Sequence, residues 1–498
     1  MGAGNAIRVI AWAAAITLTA RHASGCLQLA GTLAWLRRPQ APPPAARIPP
    51  PVHVIIPVLR EQEHVGPALD WWRQVLPQFP SMSLTLVSTA REERERRLLA
   101  AAACSARRLT SSALPQLSPA ELAGLASARA EAGGQLTPPA AERVLARKPL
   151  TSEVIDRLLA PDDPPRIRHV TYPGTGRKAA QVNHAAMAVP DGGYIAVYDI
   201  DSRPAHALLA ATCALLAAPG PGPAVVQQHA LHAAPPPGGQ LADSRLLARS
   251  AAAAQSVWTL RREIPYARRY QRSAGDEGLL PRLRAGLPQP VGHGLFLRQD
   301  AHAAIGGLPE TTVLDDVPAG ILLALLDIPV VSIAQLAEVP APAVAAEVIT
   351  QHRRWFCSYL DYPALLGDAA RAGYGDARHR RLLAAIAAYR GAAWLAASPL
   401  TAAAMVTAAC PWSGRGLRLT ACAGLILAAA APAVMITAAR QGRVRPGQAA
   451  ADSALILVGY LVRSAGPWLA VWDAARGRHP ASPAALSPKT HRREGAVP

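Results

Sequence analysis

Three apolar stretches near the end of the chain set the first limit on what it can fold into. Residues 391–410, 419–439 and 453–472 each have about the length that carries a helix across a hydrocarbon layer. Inside lipid a helix satisfies its own backbone hydrogen bonds, so a run of this length and character reads as a spanning helix. The middle run carries no charge and gives the strongest signal; the third contains Arg463, and all three are rich in Ala. Residues 380–475 are therefore expected to form three transmembrane helices, the alternative being a buried helical bundle. The flanking arginines (Arg415 and Arg418; Arg440, Arg443 and Arg445; Arg476 and Arg478) do not by themselves decide which side each loop occupies. Residues 479–498 read as a disordered tail.

The other end of the chain is also apolar. Residues 1–60 contain no acidic residue. Val9–Ala20 and Leu27–Leu36 are apolar stretches separated by Arg21-His22, and Arg37-Arg38 follow. Residues 1–38 are expected to form a membrane-associated helix with that basic end on the cytoplasmic side, the rival being a cleaved signal peptide with Arg8 as its basic start. Residues 39–51 are Pro-rich and read as an extended linker. The formal charge over 498 residues is +18, almost all of it from Arg, since Lys occurs only at 148, 178 and 489. No basic helix or aromatic-studded strand accompanies it, so nucleic acid is excluded as a partner. An anionic membrane surface and a phosphorylated substrate account for the charge better. The six cysteines are scattered, with no Cys-x-x-Cys pair, so neither a zinc site nor a disulfide framework is indicated.

Residues 52–375 read as an α/β domain with a mostly parallel sheet. Tyr194–Tyr198 is a strand-type run without charge, and Asp199 and Asp201 follow one residue apart. A strand buried on both faces reads this way, and ligands in open α/β sheets sit at the carboxyl ends of strands. If the strand continues, the two carboxylates share a face and can reach one hard cation. A lone Asp-x-Asp is more often a solvated turn; its companions along the chain change that reading. Further strands are expected at residues 53–59, 84–88, 166–170 and 224–227, with helices between them. Residues 91–165, charged and Ala-rich, read as an insertion. The turn Tyr172-Pro-Gly-Thr-Gly-Arg-Lys opens a helix containing Gln181 and Asn183, and a helix start with Arg177 and Lys178 suits an anion, although such turns also simply cap helices. A second acidic pair, Asp315-Asp316, and the segment Gln351-His-Arg-Arg-Trp355, placed at a helix start, complete the series.

Taken in order, Val54-Ile-Ile-Pro-Val58, Gly176-Arg-Lys with Asn183, Asp199-x-Asp201, Asp315-Asp316 and Gln351-x-x-Arg354-Trp355 resemble the membrane-bound family 2 glycosyltransferases, related to the cellulose, hyaluronan and ceramide-glucoside synthases. The resemblance covers roughly residues 52–360. It implies a GT-A, Rossmann-like fold and transfer from a nucleotide diphosphate sugar, a UDP-sugar first of all, to a lipid or glycan acceptor, with inversion. It implies that Asp199 and Asp201 hold Mg2+ or Mn2+, that Pro57, Glu61, Arg177, Lys178 and Asn183 surround the nucleotide sugar, and that Asp316 is the catalytic base. Asp315 would then support the base, and Gln351, Arg354 and Trp355 would line the acceptor and diphosphate side. The implied location is the cell membrane, multi-pass, with the catalytic domain facing the cytoplasm. Two departures stand out. The turn after the second strand, Val87-Ser-Thr-Ala-Arg-Glu-Glu, lacks the Asp that contacts the nucleotide base in the family, leaving Thr89 or Glu92 as substitutes. The family's Thr-Glu-Asp triplet is here Leu314-Asp315-Asp316. The missing Asp favours the rival expectation, a non-catalytic membrane protein that keeps the fold to bind a nucleotide sugar or a partner.

Overall fold

The computed structural model describes residues 3–38, 48–110, 113–114, 117–218, 220, 222–233, 242–273, 276, 278–342, 345–411, 413–441 and 446–478. Most of the expected Pro-rich linker and the whole of the expected tail, residues 479–498, lie outside them. Seven strands occur among the described residues: β1 (Val52–Pro57), β2 (Met82–Thr89), β3 (Ile167–Tyr172), β4 (Tyr194–Val197), β5 (Val225–Ala233), β6 (Leu295–Arg298) and β7 (Val330–Pro340). The chain divides into two compact units, each discontinuous in sequence. The expected boundary near residue 375 falls inside the second of them.

The first unit comprises residues 48–203 and 292–310. Its strands lie in the order β3-β2-β1-β4-β6. β1 pairs in parallel with β2 on one side and β4 on the other, β2 pairs in parallel with β3, and β6 is antiparallel to β4. β4 is buried at all four positions, and five of the six residues of β1 are buried, which is why both read as unbroken apolar runs. The helix Gln62–Val75 returns the chain from β1 to β2 and buries Val65, Ala68, Leu69, Trp72 and Val75, spaced for one helical face. Trp72 is fully buried, edge-on to Tyr198 at 5.8 Å, and Tyr198 is edge-on to Phe296 of β6 at 6.1 Å.

Between β2 and β3 the insertion folds into four helices: Arg91–Ser105, Pro119–Glu131, Pro138–Leu145 and Thr151–Leu158. The first three share a core of their own, including Leu99, Ala103, Leu122, Leu125 and Leu145. Ser118 and Glu121 form a reciprocal capping box at the start of the second, satisfying two backbone donors there.

The second unit comprises residues 1–38, 204–291 and 311–478, in their described parts, and is mostly helical. β5 and β7 pair in parallel within it, with an irregularity between Gln227 and His229. The N-terminal apolar stretches form one helix, Ala3–Leu36. Among the described residues two helices are long and apolar enough to cross a membrane, Arg415–Ala439 and Pro446–Ala475. A third span exists if Ala377–Leu395 and Ala397–Ala409, bent by 46° at their junction, count as one. Small residues let these helices approach closely. A side chain placed on Gly466 would lie 2.4 Å from the backbone nitrogen of Arg353 and 2.5 Å from the carbonyl oxygen of Ile349. Gly459 is similarly close, 2.6 Å, to the carbonyl of Ser250. Helical geometry is interrupted twice by wider turns, at Thr259–Glu263 and Ile426–Ala430.

Candidate functional site

In the first unit the strand order reverses at β1: the chain goes from β1 to β2 on one side and comes back to β4 on the other. The crevice outside the carboxyl ends of such a strand pair is where an open α/β sheet can admit a ligand. β4 delivers Asp199 and Asp201 to that end. The strand itself stops at Val197, and the two carboxylates stand on the turn that follows, closed by the Ser202 N–H donating to the Asp199 carbonyl at 3.0 Å. Their placement therefore comes from a turn and not from strand alternation. Both lie within electrostatic reach of one imidazole, that of His293.

Lys178, the first residue of the helix Lys178–Ala186, places its Nζ 2.9 Å from Asp199 Oδ1 and donates to the Gly292 carbonyl at 2.5 Å. The cation expected to meet an anion at the helix start is thus held beside the acidic pair. Arg177 occupies the cap position of the same helix and is half-buried. Desolvation lowers the pKa of His293, against the opposing pull of Asp199 and Asp201, which keeps its imidazole neutral. No group of three or more His, Cys, Asp or Glu side chains that could hold a metal occurs among the described residues. Two carboxylates on one turn nevertheless fit Mg2+ or Mn2+, hard cations that take their other positions from water and phosphate oxygens when no full protein cage exists.

Pro57 ends β1, buried and paired opposite Val87. Glu61 stands at the cap position of the next helix, half-buried, without a side-chain capping bond. Between them Arg60 adopts φ +57, unusual for a residue with a side chain, and its guanidinium is 2.7 Å from Glu95, which also pairs with Arg91 at 2.7 Å. Arg60 and Glu95 shape the loop at the end of β1, and no sequence signal marked them.

Asn183 is engaged differently from expectation. Its Oδ1 accepts from the Leu308 N–H at 2.8 Å and lies 3.0 Å from His302 Nε2; its Nδ2 donates to the Leu308 carbonyl at 2.9 Å and to Glu310 at 2.8 Å. Two acceptances and two donations use the full capacity of an amide. The packing is close enough that a side chain on Gly307, at φ +85, would meet Asn183 at 3.0 Å. Asn183 therefore anchors residues 302–310 instead of presenting a polar group to a ligand. The two residues nearest the missing base-contacting Asp are also committed. Thr89 donates to the Gly174 carbonyl at 2.9 Å, and buried Glu92 accepts from Gln62 at 2.7 Å and from the Thr151 N–H at 3.2 Å. A further relay ties β2 to β3: Asp156 lies 2.5 Å from His169 Nδ1, and His169 Nε2 lies 2.8 Å from Ser88 Oγ. Ser88 is 1% exposed, so this Ser-His-Asp arrangement is a structural strut and not a nucleophile.

The remaining expected residues lie in the second unit. Asp315 is buried at the cap position of the helix Asp316–Leu325, but its side chain makes no capping bond there. Asp316, half-buried, accepts the Val317 N–H at 2.7 Å through one oxygen. The loop before it is tied down by Asp361, which accepts the Val313 N–H at 3.0 Å. Asp316 is within electrostatic reach of Glu263 and Tyr362. Glu263, which the sequence did not bring to notice, is buried, and burial pushes its pKa up to about 7, a bond from Thr259 opposing and the Asp316 charge adding to the rise.

Gln351, Arg354 and Trp355 belong to the second and third turns of the helix Ala345–Arg371 and not to its start, a correction to the sequence reading. Their spacing puts them on one helical face. Arg354 makes no hydrogen bond or ion pair among the described residues, and its Nε is buried without a partner. Trp355 lies 5.5 Å, ring to ring, from His352.

No family model matches the sequence, and no curated protein matches it. Among solved structures the chain is similar to mannosyltransferase PcManGT from Pyrobaculum calidifontis in complex with GDP-Man and Mn2+, with 18% identity, 93% of this chain and 99% of that chain covered, and a TM-score of 0.42.

Proposed function

We propose that the chain is an inverting glycosyltransferase that moves a hexose from a nucleotide diphosphate sugar to a lipid or glycan acceptor at a membrane. The observation that carries the reading is the Asp199/Asp201 pair on the turn after β4, at the carboxyl end of a sheet whose strand order reverses there. The motif series along the sequence supports it. Asp199 and Asp201 would hold Mg2+ or Mn2+, which supplies neutralisation of the diphosphate charge when bound. Lys178, already against Asp199, adds a further positive charge on that side. Arg354, with no partner among the described residues, offers a planar fork suited to phosphate or to an acceptor oxygen.

Asp316 acts as the base in this proposal. Its carboxylate takes the proton of the acceptor hydroxyl while the hydroxyl oxygen attacks the anomeric carbon. The bond from that carbon to the phosphate oxygen breaks, and its electron pair leaves with the nucleoside diphosphate. One displacement gives inversion. The catalytic unit would face the cytoplasm, where nucleotide sugars are made.

Purified full-length protein incubated with a panel of nucleotide sugars and Mn2+ should release nucleoside diphosphate from one of them. Asp316→Asn should lower transfer by about 10²–10⁴-fold while donor binding survives, and Asp315→Asn should cost much less. Nucleoside diphosphate release from no donor, with or without acceptor lipid, favours the binding-module reading; full turnover in Asp316→Asn removes Asp316 as the base.

A further inference from the structure

The second unit encloses a narrow cavity whose wall is cationic. The N-terminal helix contributes Arg21 and His22, the segment around the wide turn at Thr259–Glu263 contributes Trp258, Arg261 and Arg262, and the Pro446–Val462 helix and the residue after it contribute Tyr460 and Arg463. No lining residue is acidic. Four guanidiniums from three separate stretches of chain thus meet around one void.

Their internal partners are few. Arg21 donates to the Ala393 carbonyl at 2.8 Å, and Arg261 donates to the His22 carbonyl at 2.9 Å and lies 3.1 Å from His22 Nδ1. Arg262 reaches only long contacts, 3.5 Å, to Gln28 and to the Arg21 carbonyl. Arg463 is 8% exposed and has no hydrogen bond or ion pair to its guanidinium among the described residues. It lies over the Trp258 ring at 4.3 Å, with Trp394 and Tyr460 farther out. Glu263 is within electrostatic reach of Arg463 and offsets part of its charge. Four guanidiniums crowded around one void, with no acid in its wall, repel one another at a cost that only an anion among them would relieve.

We propose that this cavity binds the phosphate headgroup of an anionic membrane lipid, one whose charge no ammonium in the same headgroup offsets. Guanidinium forks match tetrahedral phosphate oxygens in charge and geometry. The source is argued from the wall. The Tyr460 and Arg463 side belongs to a helix long and apolar enough to span, and the Ala397, Leu400 and Thr401 side belongs to the bent pair of apolar helices. A ligand between such elements arrives from the bilayer, with the apolar chains remaining in it. The void is small, so a headgroup phosphate would take its place among the guanidiniums only by displacing their ends, which long Arg side chains allow. The proposal does not depend on the transferase reading.

The test uses the full-length protein in nanodiscs, with its thermal midpoint read by tryptophan fluorescence. Discs of phosphatidylcholine are compared with discs containing one-third phosphatidylglycerol, and with phosphatidylcholine discs plus inorganic phosphate in the buffer. Wild type should melt several degrees higher with phosphatidylglycerol, and inorganic phosphate at millimolar concentration should not reproduce the gain. Arg463→Gln and Arg262→Gln should each lose most of the gain. In phosphatidylcholine alone Arg463→Gln should melt no lower than wild type, because it removes an unpaired buried cation; a merely structural role over Trp258 would instead lower it in both lipids. Exposed Arg415→Gln/Arg418→Gln should keep the full gain. The proposal is overturned if phosphatidylglycerol gives no gain, if Arg262→Gln and Arg463→Gln respond like wild type, if the surface variant loses the gain equally, or if free phosphate stabilises as well as the lipid.

Discussion

Replacing Glu263 by Gln should make the protein more stable at high pH and remove a pH dependence that the wild type carries. The group is buried, and its pKa stands at about 7 against an ordinary value of 4.5. Between those two values the folded state binds more protons than the unfolded one, so unfolding becomes easier as pH rises. The stabilisation is complete below pH 4.5 and is lost as pH climbs through 7. A rise of about 2.5 pH units corresponds to about 3 kcal/mol at about 1.4 kcal/mol per unit, an upper figure since the buried pocket can relax. Two buried histidines work in the opposite sense: burial holds His302 at about 4 and His352 at about 3, so their contribution grows with pH and is complete by about pH 7. The comparison of wild type with Glu263→Gln cancels them. Tryptophan-fluorescence melts in detergent from pH 4.5 to 8.5 should show the two proteins converging at the acid end and Glu263→Gln about 5 °C higher at the alkaline end. If the two curves stay parallel across that range, Glu263 does not titrate in the folded protein and the burial argument is wrong.

Three further outcomes follow from the packing and the site. Asp201→Asn should leave stability within about 0.5 kcal/mol of wild type, as for an exposed turn residue, yet lose the stabilisation that Mn2+ plus nucleoside diphosphate gives the wild type; undiminished stabilisation places the metal elsewhere. Asn183→Ala strands the backbone groups of Leu308 and should cost about 2 kcal/mol, seen as a lowered midpoint in denaturant; an unchanged midpoint would show that the amide is dispensable to residues 302–310. Gly466→Ala puts a methyl group against the backbone of Ile349 and Arg353, which cannot yield as a side chain would, so it should lower the midpoint by about 1–3 kcal/mol; a neutral result would mean that the two helices are not in contact there.

How much of this was legible beforehand follows the range of the signal. β1, β2 and β4 were plain because burial on both faces leaves a local apolar run. β6 is only four residues long and begins beside a Gly-rich turn, and β7 is half-exposed along much of its length and contains Glu338, so neither presented such a run. The paired Asp residues announced themselves by type and spacing, but their geometry comes from a turn closed by Ser202, which strand alternation could not supply. Asn183 has the composition of a ligand-binding amide; only the fold, by bringing Leu308 and Glu310 across more than a hundred residues, consumes its bonding capacity.

The arginines mark where the sequence stops informing. Arg415 and Arg418 are exposed, while Arg261 and Arg463 are buried, and nothing in their immediate neighbours separates the two kinds. A +18 chain reads from composition as a basic surface meeting an anionic bilayer, and part of the charge can serve that purpose. Arg463 sits in an apolar run where a charge would ordinarily be turned towards a partner or towards water. Here it faces Trp258 and three other guanidiniums around one cavity. A surface excess of cations works at long range and is screened by salt, whereas a buried cluster selects a ligand that can enter and be hydrogen-bonded. Raising ionic strength should therefore weaken general adhesion of this protein to anionic vesicles well before it strips a lipid from the cavity, and the two roles of the same residue type separate on that axis.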